Sequence, residues 1–335
     1  MSALFIALVV AFLATFFSAK YFITKFKAIG LVSTDINKKE KPIVPEMGGI
    51  AIFFGMMLGL SIIILAGAKN TIELLAVLST VLLSTVFGIL DGIFGYLGYE
   101  GKITRKSRKW KRGITQLQHA IFPLLCSIPL IAIKAGHYSM ALPLIGDVNL
   151  GLLYPFLIIP LIVTIYNNAF NMIAGMNGLE AGSGLIISLG LLVCGIILGQ
   201  NIVITLSSLL AVCLLAFLFF NFYPAKVFPG DITPFIVGSV LASAIILGNI
   251  EKVGVIIIGL YYLEFLLKLR SGFKAQSFGV VQEDGSLKAP HEKIYSLTHL
   301  VMKLGGGKLK ERQIVTIIIL LHSIPILLAL LTLSF

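Results

Sequence analysis

Four asparagines, Asn167, Asn168, Asn171 and Asn177, stand with Glu180 in the stretch YNNAFNMIAGMNGLEAG (166–182), where a long apolar run ends. Amide and carboxylate groups are costly against hydrocarbon, so their concentration there marks either a turn or a polar site. Gly175, Gly178 and Gly182 suit a turn, and equally let a backbone approach a ligand. Two further acids stand at the ends of apolar runs: Asp91 in FGILDGIFG and Asp231 at the close of NFYPAKVFPGD. A Gly-Asp before a helix is also an ordinary N-cap. Asp91, Asn171 and Asp231 together would present hard oxygen ligands. Mg2+ is held by one or two such groups plus substrate phosphates. No His/Cys spacing suggests zinc, and neither a Gly-x-Ser-x-Gly elbow nor a Walker motif occurs.

The other polar segments supply charge. TDINKKEKPIVPEMGG carries Asp35, Asn37, Lys38 and Glu46 ahead of Gly48-Gly49, a pattern that also serves a solvated connector. KITRKSRKWKRG holds seven Lys or Arg residues between Lys102 and Arg112. Singly these are lipid-facing anchors; together they suit phosphates. The last segment contains SGFKAQSFG and PHEKIYSLTHLVMKLGGGK. There Ile294, Leu297, Leu300, Val301 and Leu304 recur at helical spacing. That spacing predicts an amphipathic helix on the membrane surface, presenting His291, Lys293 or His299 toward a site. Glu264 stands one helical turn before Lys268, a pairing distance.

The elements that must position these groups are transmembrane helices. Of 335 residues, 58% are hydrophobic and 12% charged, and mean hydropathy is +1.01. Such a composition describes an all-α polytopic membrane protein. Apolar runs at 3–23, 49–67, 71–94, 114–133, 151–171, 183–199, 202–222, 232–249, 253–267 and 313–333 predict about ten spans in one membrane domain, 1–335. Lysines follow the first run instead of preceding it, as in an uncleaved anchor with its N-terminus outside. On that orientation only Lys69, Lys134 and Lys252 face outward, leaving 23 of the 26 Lys and Arg residues on or beside cytoplasmic segments. Both termini are then expected outside, with 24–48, 95–113, 172–182, 223–231 and 268–312 on the cytoplasmic face. The net charge of +11 follows membrane topology, and suits anionic lipid, not nucleic acid. Cys126, Cys194 and Cys213 lie unpaired in apolar runs, as small core residues. No internal repeat supports an inverted-repeat transporter.

These motifs resemble the polyprenyl-phosphate N-acetylhexosamine-1-phosphate transferases, most specifically through NAFNMIAGMNGLEAG (168–182) and FNFYPAKVFPGD (220–231). The AGxNGLEAG form, with PEMGG at 45–49, is most similar to the eukaryotic and archaeal branch that uses dolichyl phosphate. The resemblance implies a ten-helix bundle in the cell membrane with a cytoplasmic active site. It also implies Mg2+, with Mn2+ as a substitute, a UDP-sugar donor and a polyprenyl phosphate acceptor. By position, Asn171 and Asp231 match the residues that hold the metal on the donor diphosphate. Asn177 and Glu46 match contacts to uridine, and Phe228 falls where an aromatic lies near the nucleotide. Asn168 belongs to the stretch associated with the lipid phosphate, and Asp91 takes the second place of an Asp-Asp pair. Asp35 and Asn37 join the substrate-binding set as the polar head of the first loop.

The chain departs from that pattern at Leu90, in the first place of the acidic pair, and at Phe94, where the family has Asn. The family's phosphate-binding lysine falls here near Lys111 and Arg112. A histidine-rich cassette of the last loop is replaced by Lys274, His291 and His299. The implied reaction moves GlcNAc-1-phosphate from UDP-GlcNAc to a polyprenyl or dolichyl phosphate and releases UMP. The same chemistry with UDP-GalNAc or a UDP-MurNAc-peptide remains open, as does a non-enzymatic transporter or lipid-binding protein. Membrane lipids surround the protein on any of these readings, and monomer and homodimer are both compatible with the sequence.

Overall fold

A computed structural model describes residues 2–100, 116–142 and 146–333. Fourteen α-helices, one π-helix and six short strands are named here among those residues. Helix α1 (Ser2–Ala28) leads into a hairpin of β1 (Val32–Thr34) and β2 (Ile43–Pro45), paired Val32 to Pro45 and Thr34 to Ile43. Then come α2 (Ile50–Leu65), α3 (Thr71–Glu100), α4 (Gln116–Cys126) and α5 (Ile128–Ala132). The hairpin β3 (Ser139–Leu142) and β4 (Gly146–Asn149) precedes a π-helical turn (Tyr154–Ile158) that runs into α6 (Ile159–Met172). Helices α7 (Leu179–Ile197), α8 (Asn201–Asn221), α9 (Ile232–Gly248), α10 (Glu251–Ile257) and α11 (Gly259–Leu269) follow. The chain closes with β5 (Val280–Val281), β6 (Leu287–Lys288), α12 (Leu297–Leu304), α13 (Glu311–Leu321) and α14 (Ser323–Leu331).

Among the described residues, six helical segments are long and apolar enough to cross a membrane: Ala3–Ala28, Thr71–Ile93, Tyr154–Met172, Leu179–Ile197, Asn201–Asn221 and Glu311–Leu331. Ile50–Leu65, Ile121–Ala132 and Ile232–Gly248 are shorter apolar helices. Three predicted spans are broken. The 114–133 run is interrupted at Ser127 between α4 and α5, the 253–267 run at Ile258 between α10 and α11, and the 313–333 run at His322 between α13 and α14. Large apolar side chains face outward along the bundle, Phe5 and Phe17 of α1, Phe219 of α8 and Leu328 of α14 among them. A water-soluble surface does not carry such a belt; a lipid-facing one does.

Helix α9 is the pillar of the bundle. Ile232 to Ile246 are all buried, so this short helix is apolar on every side because protein surrounds it. It packs against α2, α3, α6, α7, α8 and α10. Small residues let neighbours come close, as in membrane helix pairs generally. A Cβ on Gly88 of α3 would lie 2.6 Å from the Ile232 Cα, and one on Gly238 of α9 would lie 2.6 Å from the Asn167 Cα of α6. Polar side chains lock the same crossing. Ser84 and Ser239 share a 2.6 Å hydrogen bond, and the Ser239 hydroxyl donates to Asn167 Oδ1 at 3.1 Å. This chain links α3, α9 and α6 within the apolar interior. Away from it, Ala7 and Ala11 of α1 are fully buried where that helix meets α2 and α8.

The predicted surface helix of the last segment is shorter than its pattern, beginning only at Leu297. Its apolar face is turned to protein except at its end, where Leu304 is exposed. Leu297, Val301 and Met302 are buried, and α12 packs on α11, α13 and β6. Glu251, read as part of a connection, is buried, and accepts a hydrogen bond from the Tyr154 hydroxyl. The three cysteines are free and buried, as expected.

Candidate functional site

The packing around α9 brings the metal-ligand candidates to one end of the bundle. Asn171 lies one helical turn beyond Asn167 on α6, toward the end at which α9 starts. Asp231 immediately precedes Ile232, whose backbone Gly88 touches, and Asp91 follows Gly88 by three residues. Met47 lies against the glycines that flank the two acids. A Cβ on Gly92 would meet its Cε at 3.1 Å, and one on Gly230 would meet its Cα at 3.1 Å. Asp91 is buried, while Asn171 and Asp231 are partly exposed. The Asp231 side chain makes no capping hydrogen bond to α9. Among the described residues no three His, Cys, Asp or Glu side chains cluster as a metal cage. An all-protein cage is not what Mg2+ requires when phosphates complete its shell. The hard-oxygen character of Asp91, Asn171 and Asp231 fits that ion.

The first and fourth polar segments are zipped together beside these residues. The Gly48 N–H donates to Phe228 O at 2.8 Å, Gly49 N–H to Pro229 O at 3.0 Å, and Phe228 N–H to Pro45 O at 2.8 Å. Side chains have no room here: a Cβ on Gly49 would lie 2.7 Å from the Thr233 nitrogen. Glu46 and Phe228, both partly exposed, are thereby held at the rim near Asp231.

Asn177 sits in the short loop between α6 and α7. Gly178, at φ +79°, caps α7 in the left-handed region and packs on Phe222 so closely that a Cβ would come within 2.7 Å of its ring. The Asn177 N–H donates to Glu311 Oε1 at 2.8 Å, and its Nδ2 donates to Asp35 Oδ2 at 3.0 Å. Lys38 bonds the Asp35 carboxylate and reaches Glu311 Oε2 at 3.0 Å, with its ammonium 4.7 Å from the centre of the Tyr223 ring. Asn37 donates through Nδ2 to Gly175 O at 2.9 Å and accepts from Gly279 N–H at 3.4 Å. Residues from the first loop, the α6–α7 loop, the last loop and α13 thus form one buried network. Lys38 stands in the sequence only as part of the first polar segment, without a site role, and Glu311 does not stand out at all. Each lies in a charged run flanking an apolar segment, KKEK or KLKER, and so reads as a topology signal.

The remaining candidates are scattered. Asn168 bonds back through Nδ2 to Thr164 O on its own helix at 2.9 Å. Its neighbour Asn167, fully buried, is the one that locks α6 to α9. Lys274 and His291 are exposed. His299 is fully buried, with Nε2 3.2 Å from Phe278 O, so it packs inward instead of facing a membrane surface. Its ring lies 5.8 Å from that of His291. Phe278 in turn lies against Gly175, where a Cβ would come within 3.0 Å of its ring, so His299 supports the Asn177 loop through Phe278. The last loop is anchored to α11 by Leu297 N–H donating to Glu264 Oε2 at 2.6 Å, and by Lys268 donating to Ser277 Oγ at 2.6 Å. The predicted Glu264–Lys268 pair is present at 3.8 Å. Lys111 and Arg112 lie outside the described residues.

Burial lowers the His299 pKa from its ordinary value of 6.5, the imidazole being desolvated before any partner offsets it. The unfolded chain therefore takes a proton first as pH falls, and stability declines below about pH 6.5. The thermal midpoint should drop between about pH 7.5 and about pH 5, and His299→Gln should flatten that drop. An equal drop in the variant would remove His299 as its source.

Comparison with known proteins fits this arrangement. The family model described as glycosyl transferase family 4 matches residues 74–249, from α3 to the end of α9. A protein of Saccharolobus solfataricus is 35% identical, with 94% of this chain and 92% of the relative covered. One from Sulfolobus acidocaldarius is 38% identical, covering 98% and 95%. Both carry the provisional name UDP-N-acetylglucosamine–dolichyl-phosphate N-acetylglucosaminephosphotransferase. The phospho-N-acetylmuramoyl-pentapeptide-transferase of Chlamydia abortus is 29% identical over 69% of this chain and 67% of its own length.

Proposed function

The chain belongs to glycosyl transferase family 4, and from that premise we propose that it transfers GlcNAc-1-phosphate from UDP-GlcNAc to dolichyl phosphate, releasing UMP. What supports this reading is that Asp91 stands three residues beyond the Gly88–Ile232 contact, Asp231 beside it, and Asn171 one turn beyond the Gly238–Asn167 contact, inside the segment that the family model matches. Membership in a transferase family sets aside the transporter and lipid-scaffold readings.

Asp231 and Asn171 would hold Mg2+, or Mn2+ in its place, which supplies charge neutralisation on the donor diphosphate. Asn177, Glu46 and Phe228 take the uridine end, with Asp35 and Asn37 behind them. Asn168 belongs to the stretch assigned to the acceptor phosphate, and Lys111 and Arg112 add positive charge. An acceptor phosphate oxygen attacks the donor β-phosphorus in line. One P–O bond forms, the bond to the UMP oxygen breaks, and the electron pair leaves with UMP. The acceptor is already largely anionic near neutral pH, so Asp91 orients it without acting as a strong base. Lys274, His291 and His299 belong to the last loop, where His299 braces the nucleotide side through Phe278.

The six long apolar segments, three shorter ones and the broken α10–α11 pair are consistent with ten crossings in one catalytic domain, 1–335. With 23 of 26 basic residues on one side, both termini lie outside and the site faces the cytoplasm from the cell membrane. The acceptor chain enters from surrounding lipid, and a homodimer is compatible with this arrangement.

Purified protein with tritiated UDP-GlcNAc and dolichyl phosphate should yield chloroform-soluble label. EDTA should abolish the product and Mg2+ restore it. A parallel panel of UDP-GalNAc and UDP-MurNAc-pentapeptide fixes the donor. Label from neither UDP-GlcNAc nor the panel would overturn the reaction class.

A further inference from the structure

Asn177 is buried; its backbone N–H donates to Glu311 and its Nδ2 to Asp35, both carboxylates. A carboxylate accepts and cannot donate when ionised, so Asp35 dictates which way the Asn177 amide points: nitrogen toward Asp35, oxygen away from it. Asn177 Oδ1 accepts from no donor among the described residues, yet it is not enclosed as a buried orphan. Lys38, shared by Asp35 and Glu311, holds both carboxylates in place. The loop itself is fixed from below by Asn37 on Gly175 O and from above by Glu311 on the Asn177 N–H.

We infer that Asp35, Lys38 and Glu311 form a buried ion triad that sets the orientation of the Asn177 amide and thereby the base preference of the donor site. An outward acceptor oxygen pairs with a pyrimidine that carries an imide N–H, as uracil does. It meets an acceptor nitrogen in cytosine, and the two oxygen and nitrogen lone pairs repel. Lys38 and Glu311 touch no substrate in this arrangement; they act through Asn177 and are positioning residues. The inference rests on the nucleotide-donor reading, but its measurement does not depend on transfer.

The test is the stabilisation of the purified full-length protein by UDP and by CDP, each titrated with Mg2+ and read as a dissociation constant from thermal unfolding. The native protein should bind UDP more tightly than CDP by about a hundredfold. Asp35→Asn lets the partner amide donate or accept, so the Asn177 amide can turn; Glu311→Gln removes the charge that holds Lys38. Both are isosteric. Either should narrow the UDP-over-CDP ratio by about tenfold, the size of one oriented hydrogen bond. A role confined to stability would lower the unfolding midpoint and leave the ratio unchanged, and that outcome in both variants overturns the inference. So does a native protein with no base preference, or with no nucleotide binding. If UDP-GlcNAc gives no lipid product while the preference exists and the variants erode it, the transferase reading fails and the triad stands.

Discussion

Asp231→Asn is expected to reduce transfer at least about a thousandfold, about 4 kcal/mol of transition-state stabilisation, while leaving the folded protein intact. The size follows from the position. Asp231 stands at the head of the buried pillar α9, beside the Gly88–Ile232 crossing that brings Asp91 near and two turns from the Asn167–Ser239 bond that sets α6. A full negative charge at that point is the strongest available anchor for a cation on a diphosphate. The prediction of an intact fold follows from a separate observation. Its side chain does not cap α9, so removing the charge does not incur the roughly 1 kcal/mol that a lost cap costs. Asparagine keeps the size and hydrogen-bonding reach of the side chain, so the unfolding midpoint should stay within about 2 °C of the native one. Near-native transfer would remove Asp231 from the metal site, and a large loss of stability would return it to a structural role.

Gly238→Val should have the second large effect, and of another kind. A Cβ there would sit 2.4 Å from Asn167 Oδ1 and 2.6 Å from the Asn167 Cα. The nearer clash could be relieved by turning a side chain, but the second is with backbone, so α6 and α9 must separate. That breaks the Ser239–Asn167 bond and leaves polar atoms unsatisfied in an apolar interior. Overpacking of this sort costs about 3 kcal/mol. It also carries Asn171, one turn away, out of register with Asp231. Both the unfolding midpoint and the transfer rate should fall. Gly259→Ala is the matched control, since its Cβ would meet only Pro325 Cβ at 3.4 Å, an ordinary contact. A stable, active Gly238→Val would show that the α6–α9 crossing does not hold the site.

Much of this arrangement is legible in the sequence, for a physical reason. Polar groups at the ends of apolar runs are expensive, so Asp91, Asn171, Asn177 and Asp231 announce themselves. Their convergence is less legible, because it depends on which helix lies in the middle. Nothing in the apolar run 232–249 distinguishes a lipid-facing helix from α9, which protein encloses on all sides. The hydroxyls of Ser84 and Ser239 look like neutral fillers in such runs, yet they tie three helices together. Charge was misleading in the opposite direction. Lys38 and Glu311 sit among residues whose abundance is explained by topology, and only their meeting across 273 positions separates them from the background. Helical periodicity found α12 but misjudged its surroundings. A stripe of Leu, Val and Ile does not say whether it faces lipid or protein, and here Leu297 and Val301 pack on the chain's own α11, α13 and β6. The breaks at Ser127, Ile258 and His322 were invisible because hydropathy averages over them.

The most direct measurement uses UDP-GlcNAc labelled with 32P at the β-phosphorus, incubated with purified protein, dolichyl phosphate and Mg2+. Attack at that phosphorus predicts that the label passes to the lipid in step with the release of unlabelled UMP, one for one. Label retained in released UDP, with the sugar alone on the lipid, would contradict it.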